Sequence, residues 1–477
     1  MGVEAQSSPA DADASDIVAD LVARGRDAMS EISDYSQEEV DELVQAVGWA
    51  VYEEDRAVHL SEIAVEESDL GKVEDKIQKK RRKILGVLHD TLGEQSVGVI
   101  DVDEERGLVD IAKPVGVVGA VVPSTHPGTT PTALAMMALK GRNAIILSPS
   151  PRGEEVCELV VEYIHNELEK VGAPKDLVQM VPRPASKSKA YELMEQVDLL
   201  QVTGSSANVE QGQKCGTPNY CVGEGNAVAL VDDTADIETV AERIHKSKTV
   251  DHATSCSADN NAAIVEEVYD DLIEALQDEG GYLCNETERQ KIRDTLFPEG
   301  HGSLDTDLVA KPAEVLAEAA DLENEAAHEA NFFITEGTGI GPEYPLSGEK
   351  LAVVLNVFEV ADIDEAIEVT NDVLAFEGAG HSCGIHTEDD DVVRKVGNEV
   401  DVARVIVNQP HAFANGGWYK NGLPNTLSEG GGTWAGNQFD WNVNYEHFIQ
   451  TTTIARPLDG AEPYSEELFG SYVEEHV

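Results

Sequence analysis

The chain has 477 residues, too many for one hydrophobic core, so we expect two or three domains. Asp and Glu together number 91 against 34 Lys and Arg, which gives a formal net charge of −57. Such a surface repels phosphate backbones and anionic lipid, so we expect no nucleic-acid or membrane partner, and it is typical of a folded protein in a high-salt cytoplasm.

The six cysteines form no Cys-x-x-Cys pair, so we expect neither a metal site nor a disulfide framework. This cysteine usage fits a reducing, cytoplasmic location. Residues 1–13 are acidic and small, which predicts a disordered acidic tail and no signal peptide. No run of eighteen apolar residues occurs, so we expect no membrane span.

The first regular elements are helices and a hairpin. Apolar residues recur three and four positions apart from Ala14 to Leu92, which predicts helix. Within this stretch we interpret the basic run of residues 76–84, KIQKKRRKI, as a helix face paired with local carboxylates. Residues 95–113 alternate in polarity and turn at residues 104–107, which predicts a β-hairpin.

From Val115 onward, strands and helices alternate, and this repetition predicts a parallel, doubly wound sheet. A second alternating series starts near Ala227 and contains a loop that holds Cys256. Residues 285–345 look polar and irregular. After Asn408 the chain is rich in Gly, Asn and aromatic residues, which predicts a loop over a site.

Seven segments resemble, in the same order, those of the CoA-acylating aldehyde dehydrogenases. They are KPVGVVGAVVPSTHPGTTPTALAMMALKGRNAIILSPSPRG, VTGSSANV, VGEGNAVALVDDTADIETV, ATSCSADN, GEKLAVVL, GAGHSCGIHT and GGGTWAGNQFDWNV. The resemblance extends from about residue 14 to residue 457. One of these motifs alone is weak evidence, whereas seven in order are specific.

The resemblance implies an α/β fold of the aldehyde dehydrogenase type, with three parts. Residues 14–94 and 114–225 would form a Rossmann-like NAD(P)-binding domain, and residues 226–440 an α/β catalytic domain. Residues 95–113 and 441–477 would form a β-hairpin oligomerisation arm and the C-terminal segment. The arm implies a homodimer or homotetramer, because a long exposed strand edge invites pairing.

Cys256, in the motif TSCS, matches the family's nucleophile, and the other five cysteines match no such motif. In this chemistry a thiolate attacks the aldehyde carbonyl, hydride leaves to the nicotinamide, and an acyl-enzyme thioester remains. The resemblance therefore implies NAD or NADP as cofactor, and coenzyme A and a small aldehyde as substrates.

The fate of the thioester depends on a glutamate that hydrolytic members of the family carry in a Glu-Leu-Gly-Gly motif. Here Gly223 occupies that position and Glu224 follows it. Neighbouring residues of an extended segment point to opposite faces, so we expect Glu224 to miss the site and the thioester to await the CoA thiol. A local register change that brings Glu224 to the site would instead make the chain a hydrolytic dehydrogenase.

A donor is also needed for the oxygen that becomes negative during the attack. The family takes one from the loop between Pro123 and Pro127, and His126 stands where the acylating branch has Asn. A neutral imidazole can donate one hydrogen bond, but Thr125 is an equal candidate. The third alternative is that neither residue is the donor. His381 matches a histidine typical of the acylating branch, and would order the site, assist thiol transfer or be structural.

The resemblance also implies a set of cofactor-binding residues. Arg152 suits a 2′-phosphate, because a guanidinium matches phosphate geometry. Gly204 belongs to a turn that lets a helix N-terminus approach the pyrophosphate, and Glu349 matches the glutamate that binds the nicotinamide ribose. The complete set is Pro123, Ser148, Pro149, Arg152, Thr203, Gly204, Ser205, Gly223, Gly225 and Glu349.

For the substrate, the segments NGLPNTLSEGGGTWAGN and SKTVDHATSCS are most similar to family members that oxidise sulfoacetaldehyde to sulfoacetyl-CoA. A sulfonate needs a cationic or N–H-rich partner, and Lys420 and Arg183 are candidates. The alternatives are acetaldehyde or another short aldehyde, and a binding protein with a dead site.

Overall fold

The computed structural model describes residues 9–460 and 468–476. In this part of the chain the helices are α1 (Pro9–Glu31), α2 (Gln37–Tyr52), α3 (Glu54–Ser68), α4 (Val73–Thr91), α5 (Thr129–Lys140), α6 (Glu154–Lys170), α7 (Lys187–Gln196), α8 (Ser206–Lys214), α9 (Ile237–Thr249), α10 (Glu266–Asp278), α11 (Glu286–Leu296), α12 (Ala313–Ala319), α13 (Glu325–His328), α14 (Ile363–Phe376), α15 (Asp390–Glu399), α16 (His411–Ala414) and α17 (Ser471–His476). None of these described helices is long and apolar enough to cross a membrane.

The strands are β1 (Gly98–Asp103), β2 (Leu108–Pro114), β3 (Val117–Val122), β4 (Ala144–Pro149), β5 (Val178–Met180), β6 (Leu199–Thr203), β7 (Asn219–Val222), β8 (Val228–Val231), β9 (Asn261–Val265), β10 (Gly281–Leu283), β11 (Phe332–Glu336), β12 (Val354–Val360), β13 (Cys383–His386), β14 (Val405–Val407) and β15 (Ile449–Ala455). They form two parallel sheets and one antiparallel sheet.

The acidic segment at the start of the chain is helical earlier than predicted. Helix α1 begins at Pro9, so residues 9–13 are not part of a disordered tail. Proline is favoured at the first helical position, and the alanines that follow it are strong helix formers. Residues 1–8 of the predicted tail lie outside the described residues.

The smaller parallel sheet has five strands in the order β5-β4-β3-β6-β7. Successive residues of β3 point to opposite faces. Val118 and Ala120 pack in a core with α2, α5 and α6, whereas Val117 and Val121 pack in a core with α1 and α7. Because helices cover both faces, β3 and β4 are buried along their whole length. This architecture confirms the doubly wound sheet that the sequence predicts.

The larger parallel sheet has seven strands in the order β10-β11-β12-β9-β8-β13-β14. Its interior strand β8 again alternates between two cores. Val228 and Leu230 pack with α14 and α15, while Ala229 and Val231 pack with α9 and α10. The loops that precede β8, β9, β12 and β13 all lie at the amino ends of these parallel strands. This edge of the sheet contains the candidate active site described below.

Residues 285–345 are more regular than predicted, because they contain α11, α12, α13 and β11. Helix α11 begins with a capping box: the Asn285 side chain accepts from the N–H of Glu288, and the Glu288 carboxylate accepts from the N–H of Asn285. Strand β11 is buried in the larger sheet. The prediction of an irregular segment is wrong because these helices are short and largely polar, which obscures their period.

The predicted hairpin is present as β1 and β2, which pair antiparallel. Strand β2 pairs on its other side with β15, also antiparallel, with Ala112 opposite Thr451. The resulting three-stranded sheet stands apart from both parallel sheets. Val99, Val102 and Ile454 expose large apolar side chains on it.

The basic run of residues 76–84 lies in α4, and its surroundings correct our interpretation of it. Four of its lysines are buried, namely Lys76, Lys79, Lys80 and Lys83. The carboxylate that pairs with Lys79 belongs to Asp251, which is 172 residues away in the chain. The partner is therefore not local, and helical spacing could not reveal it, because a period identifies a buried face but not what covers it.

Candidate active site

The candidate nucleophile lies at the amino ends of the strands of the larger parallel sheet. Cys256 is in the loop that joins α9 to β9 and is partly buried. Asp251, His252 and Ala253, just before it, have φ angles of 50°, 51° and 61°. Three successive non-glycine residues in the left-handed region are strained, so contacts from outside the loop must hold them.

Asp251 supplies those contacts. Its side chain is fully buried and accepts hydrogen bonds from Lys79 Nζ at 2.9 Å, Lys76 Nζ at 3.2 Å and the backbone N–H of Lys72 at 2.8 Å. Burial alone would raise the pKa of Asp251, but the charges of Lys79 and Lys76 outweigh it and hold the pKa well below its usual value. Asp251 also accepts from the Thr254 hydroxyl at 2.9 Å, so the nucleophile loop is tied to α4.

Cys256 lies in a cluster with two other groups that can carry protons. One side-chain atom from each of Cys256, His381 and Glu429 lies within 4.8 Å of the others. Burial raises the pKa of the Cys256 thiol, and the nearby carboxylates of Glu429 and Glu349 raise it further. The nucleophile is therefore a thiol at neutral pH and needs a base to become a thiolate.

His381 has the geometry of that base. It is buried, its Nδ1 lies 2.8 Å from Ser382 Oγ, and its Nε2 has no partner among the described residues. Burial, with the charge of Arg404, lowers the pKa of His381 well below its usual value, so the ring is neutral. A neutral ring has one N–H and one nitrogen lone pair, and which nitrogen is the acceptor depends on the partner of the other.

A chain of buried groups continues from His381. Ser382 Oγ lies 2.9 Å from His411 Nε2, and His411 Nδ1 lies 3.4 Å from Asp259 Oδ1. His411 Nδ1 and Asp259 Oδ1 form no hydrogen bond with each other or with another described residue, but the nearby negative charge of Asp259 favours a proton on His411 Nδ1. His411 Nε2 then accepts from Ser382. The Ser382 oxygen then accepts from His381 Nδ1, which leaves the lone pair on His381 Nε2.

Arg404 fixes both sides of this cluster. Its Nη2 donates to the carbonyl of His381 at 2.7 Å, and its Nε donates to Asn415 Oδ1 at 3.0 Å. Asn415 in turn donates to Ser257 Oγ at 2.9 Å, next to the nucleophile. The guanidinium charge also favours the thiolate form of Cys256.

The segment after β7 explains why Glu224 does not act on the thioester. Glu224 is exposed, and its carboxylate accepts from the hydroxyl of Ser206. A Cβ at Gly225 would lie 2.4 Å from the carbonyl oxygen of Cys256, so only glycine allows this close approach. The alternation of faces expected for Gly223 and Glu224 agrees with this geometry.

The loop from Pro123 to Pro127 favours one of the two donors that the sequence left open. Lys79 Nζ lies 2.6 Å from His126 Nε2, and an ammonium group can only donate, so Nε2 accepts. The proton is then on Nδ1, which donates to Thr125 Oγ1 at 3.0 Å. Both ring nitrogens of His126 are engaged, whereas the Thr125 hydroxyl keeps its own proton to donate.

The expected cofactor residues lie together where the strands of the smaller sheet end. Pro123 follows β3, Ser148 and Pro149 end β4, Thr203 ends β6, and Gly204, Ser205 and Gly223 follow β6 and β7. A Cβ at Gly204 would meet only the Asn208 side chain, at 3.8 Å, so a ligand can approach this backbone. The carboxyl edge of a doubly wound sheet is where dinucleotides bind, and the residues fit one.

Glu349 and Arg152 complete this set from other segments. Glu349 accepts from the backbone N–H of Gly225 at 3.0 Å, and burial raises the pKa of its carboxyl group to about 8. Glu349 thus faces the segment that touches Cys256. Arg152 is about half exposed and lies 3.7 Å from Asp307, so its guanidinium can reach a ligand phosphate.

Neither residue that we named for a sulfonate is in this cluster. Arg183 forms ion pairs with three glutamates of α6, namely Glu154, Glu155 and Glu158, so its charge is already neutralised. Lys420 is exposed and lies 5.1 Å from the ring centroid of Trp418. Sequence reasoning missed Glu429, Arg404, Asp251 and His411. Arg404 and His411 lie outside the segments that carry the resemblance, whereas Asp251 and Glu429 lie within such segments but were not singled out, because their partners come from distant parts of the chain.

The chain is similar to known proteins over nearly its whole length. Residues 4–284 match the aldehyde dehydrogenase family. The acylating sulfoacetaldehyde dehydrogenase of Cupriavidus necator is 42% identical over 96% of this chain and 93% of its own length. The acetylating succinate-semialdehyde dehydrogenase of Clostridium kluyveri is 34% identical over 95% of this chain and 99% of its own. The crystal structure of an acetylating aldehyde dehydrogenase from Geobacillus thermoglucosidasius has a TM-score of 0.91 at 29% identity, and covers 96% of this chain and 100% of that one.

Replacing Asp251 by Asn should lower the free energy of unfolding by about 3 kcal/mol at pH 7, because Lys76 and Lys79 then keep buried charges without a counter-ion. The folded-state pKa of Asp251 is depressed, so its stabilisation is present above the unfolded-state pKa of about 4 and is lost as the pH falls through the folded-state value. The difference between wild type and variant should therefore stay constant from pH 6 to 8. Urea unfolding in concentrated KCl measures it.

The matched control is Asp176→Asn, which breaks the exposed pair of Asp176 with Arg24. We expect this variant to lose less than about 1 kcal/mol. Equal losses in the two variants would contradict the role given to Asp251.

Proposed function

The chain belongs to the aldehyde dehydrogenase family, and from this premise we propose that it oxidises a short anionic aldehyde, with sulfoacetaldehyde as the first candidate, to the acyl-CoA. The observation that carries the proposal is Cys256 beside the free Nε2 of His381, with Gly223 in place of the glutamate that would activate water. The 42% identity to the acylating sulfoacetaldehyde dehydrogenase of Cupriavidus necator supports the choice of substrate.

The first step is removal of the thiol proton. His381 Nε2 takes the proton from Cys256 Sγ, and the thiolate attacks the carbonyl carbon to give a thiohemiacetal. The backbone N–H of Cys256 donates to no described residue, and it stabilises the developing oxyanion together with the Thr125 hydroxyl. Arg404 keeps His381 in place throughout, through its bond to the carbonyl of His381.

The residues that end the strands of the smaller sheet would hold the cofactor, and Glu349 would bind its nicotinamide ribose. Bound NAD or NADP supplies the hydride acceptor. Arg152, about half exposed, favours a 2′-phosphate and hence NADP. Gly225 allows the nucleophile to lie directly against the segment that Glu349 holds.

The thioester on Cys256 then awaits a second nucleophile. No carboxylate side chain extends from position 223, and Glu224 is bonded to Ser206, so these positions give water no base. After His381 has released the first proton to solvent, its Nε2 accepts the thiol proton of CoA. The CoA sulfur attacks the thioester, and the departing Cys256 thiolate takes that proton back from His381. The products are acyl-CoA, the reduced cofactor and one proton.

Hydrolysis is the second candidate function, and Glu429 is the observation that favours it. Its carboxyl group belongs to the cluster with Cys256 and could take a proton from water. Burial raises the pKa of Glu429, which opposes this role because a protonated carboxyl group is not a base.

A direct test follows reduced-nicotinamide absorbance in concentrated KCl with sulfoacetaldehyde, NAD or NADP, and CoA present or omitted. We expect steady turnover only with CoA, and a loss of at least about 10⁴-fold in kcat/KM for Cys256→Ala. Cys215→Ser is the matched control, because Cys215 is also partly exposed but donates only to backbone carbonyls of its own region. Equal turnover without CoA, abolished by Glu429→Gln, would select hydrolysis.

The chain from His381 to Asp259 makes Ser382 a positioning residue. Ser382→Ala should lower kcat/KM about 10- to 100-fold and move the pH profile of Cys256 alkylation by iodoacetamide to higher pH, because His381 loses the partner that fixes its tautomer. His411→Gln keeps an acceptor near the Ser382 hydroxyl and should lose less. An unchanged alkylation profile in Ser382→Ala would show that the hydroxyl is only structural.

We also propose that the three-stranded sheet joins two or more copies of the chain. Strand β15 pairs on one side only with described residues, and apolar side chains such as Val102 and Ile454 are exposed nearby. Light scattering in molar KCl should give the mass of a dimer or tetramer, and Ile454→Lys should shift it toward the monomer. A monomeric wild type would contradict this assignment.

A further inference from the structure

Arg82 is a mostly buried cation without a counter-ion among the described residues. Its Nε and Nη1 atoms are buried and have no acceptor among the described residues, and no described carboxylate lies within 4 Å of its guanidinium. The guanidinium carbon instead lies 4.3 Å from the ring centroid of Phe413. The neighbouring Arg81 pairs in the ordinary way with Glu54, at 3.5 Å.

This arrangement is unexpected in a chain with 91 acidic residues. Burial lowers the pKa of Arg82 to about 10, and no carboxylate opposes this shift. A buried charge that is left unpaired is destabilising, and two N–H donors without acceptors add to the cost. An anionic ligand with several oxygen atoms would satisfy both the charge and the donors.

The neighbours of Arg82 on α4 reach the residues around the nucleophile. Lys79, one turn earlier, donates to the hydroxyl of Thr254 at 3.3 Å, two residues before Cys256. Lys83, the next residue, donates to the carbonyls of Gly416 and Gly417. A Cβ at Gly416 would touch both the Lys83 ammonium and the Glu429 carboxylate, so Lys83 lies beside the catalytic cluster.

Phe413, whose ring packs against the Arg82 guanidinium, is a near neighbour in the chain of residues that contact the candidate active site. It belongs to α16, which begins with His411 of the buried chain and is followed by Asn415, the donor to Ser257. Lys246 Nζ lies 5.1 Å from the same ring and adds a second positive charge. The Phe413 ring and the two cations thus belong to α16, α4 and α9, three elements that contact or lead into the loop of Cys256.

We propose that Arg82 binds the acid group of an anionic aldehyde, a sulfonate first and a carboxylate second, while the aldehyde carbon reaches Cys256. This assignment rests on the proposed function, because it names the residue that selects the substrate of the same site. Arg82 thus takes the role of sulfonate partner for which the sequence suggested Arg183 and Lys420. A sulfonate stays ionised at every working pH and offers three acceptor oxygens to the buried donors.

The kinetic test compares kcat/KM for sulfoacetaldehyde, succinic semialdehyde and propanal in the wild type, Arg82→Gln, Arg82→Lys and Arg81→Gln. The ratio of sulfoacetaldehyde to propanal should fall about 100-fold in Arg82→Gln. It should fall about 10-fold in Arg82→Lys, which keeps the charge but loses the donor geometry. Arg81→Gln removes an equal charge from the same helix and should change the ratio less than twofold.

Several outcomes would overturn the assignment. Equal losses for sulfoacetaldehyde and propanal in Arg82→Gln would make Arg82 a structural residue. A loss that appears only in the KM for CoA would assign the anion to CoA instead. If Arg82→Gln does not fold, Arg82→Lys alone must show the change in ratio, and an unchanged ratio in that folded variant would refute the proposal.

A binding test separates this proposal from the proposed function, because it needs neither CoA nor cofactor. Ethanesulfonate should protect Cys256 of the wild type from iodoacetamide and should protect Arg82→Gln at least 10-fold less well. If no aldehyde is oxidised in a CoA-dependent way, the proposed function fails, but protection that depends on Arg82 still supports the anion site. Equal protection in both proteins would refute that site.

Discussion

The buried carboxylate of Asp251 is the interaction on which the candidate active site depends. It joins α4, which precedes both parallel sheets in the chain, to the loop that carries Cys256. The three residues from Asp251 to Ala253 adopt left-handed φ angles, a conformation that costs free energy for each non-glycine residue. The ion pairs with Lys76 and Lys79 offset this strain, so the position of the nucleophile is set by a contact between distant segments.

The same lysines connect the nucleophile loop to the oxyanion side of the site. Lys79 donates to Asp251, to Thr254 and to His126, and His126 in turn donates to Thr125. These contacts explain why His126 stands where the acylating branch has asparagine. His126 does not act as the donor in place of the amide; it is held by Lys79 and in turn fixes the orientation of the Thr125 hydroxyl. On the opposite side of Cys256, the series of buried groups from Asp259 to His381 leaves the lone pair of His381 Nε2 near Cys256. Here too, the proton of one group determines whether the next group donates or accepts a hydrogen bond.

Much of the fold and the identity of the nucleophile follow from the sequence, because both depend on local patterns. The alternation of strands and helices predicts the doubly wound sheet, and the hairpin is recognisable from its alternating polarity and turn. The structure also brings Cys256 and His381 together, although 125 positions separate these two motif residues in the printed sequence. The long-range contacts could not be predicted: the basic run of α4 suggests a helix face paired with local carboxylates, yet its partners come from residues 251 and 416–417.

These long-range contacts have one property in common, which is unusual for a protein of such negative charge: they bring cations together. Most of its 91 carboxylates can stay hydrated at the surface, where they repel anions in general. Around Cys256 the balance is reversed, since Lys79, Arg82, Lys83 and Arg404 are all largely buried there and face few carboxylates. Burying cations is costly, so their concentration in this one region requires a compensating negative charge. Asp251 compensates for Lys79, whereas Arg82 has no carboxylate partner among the described residues. The thiolate and the substrate are the negative charges that the reaction itself brings to the site.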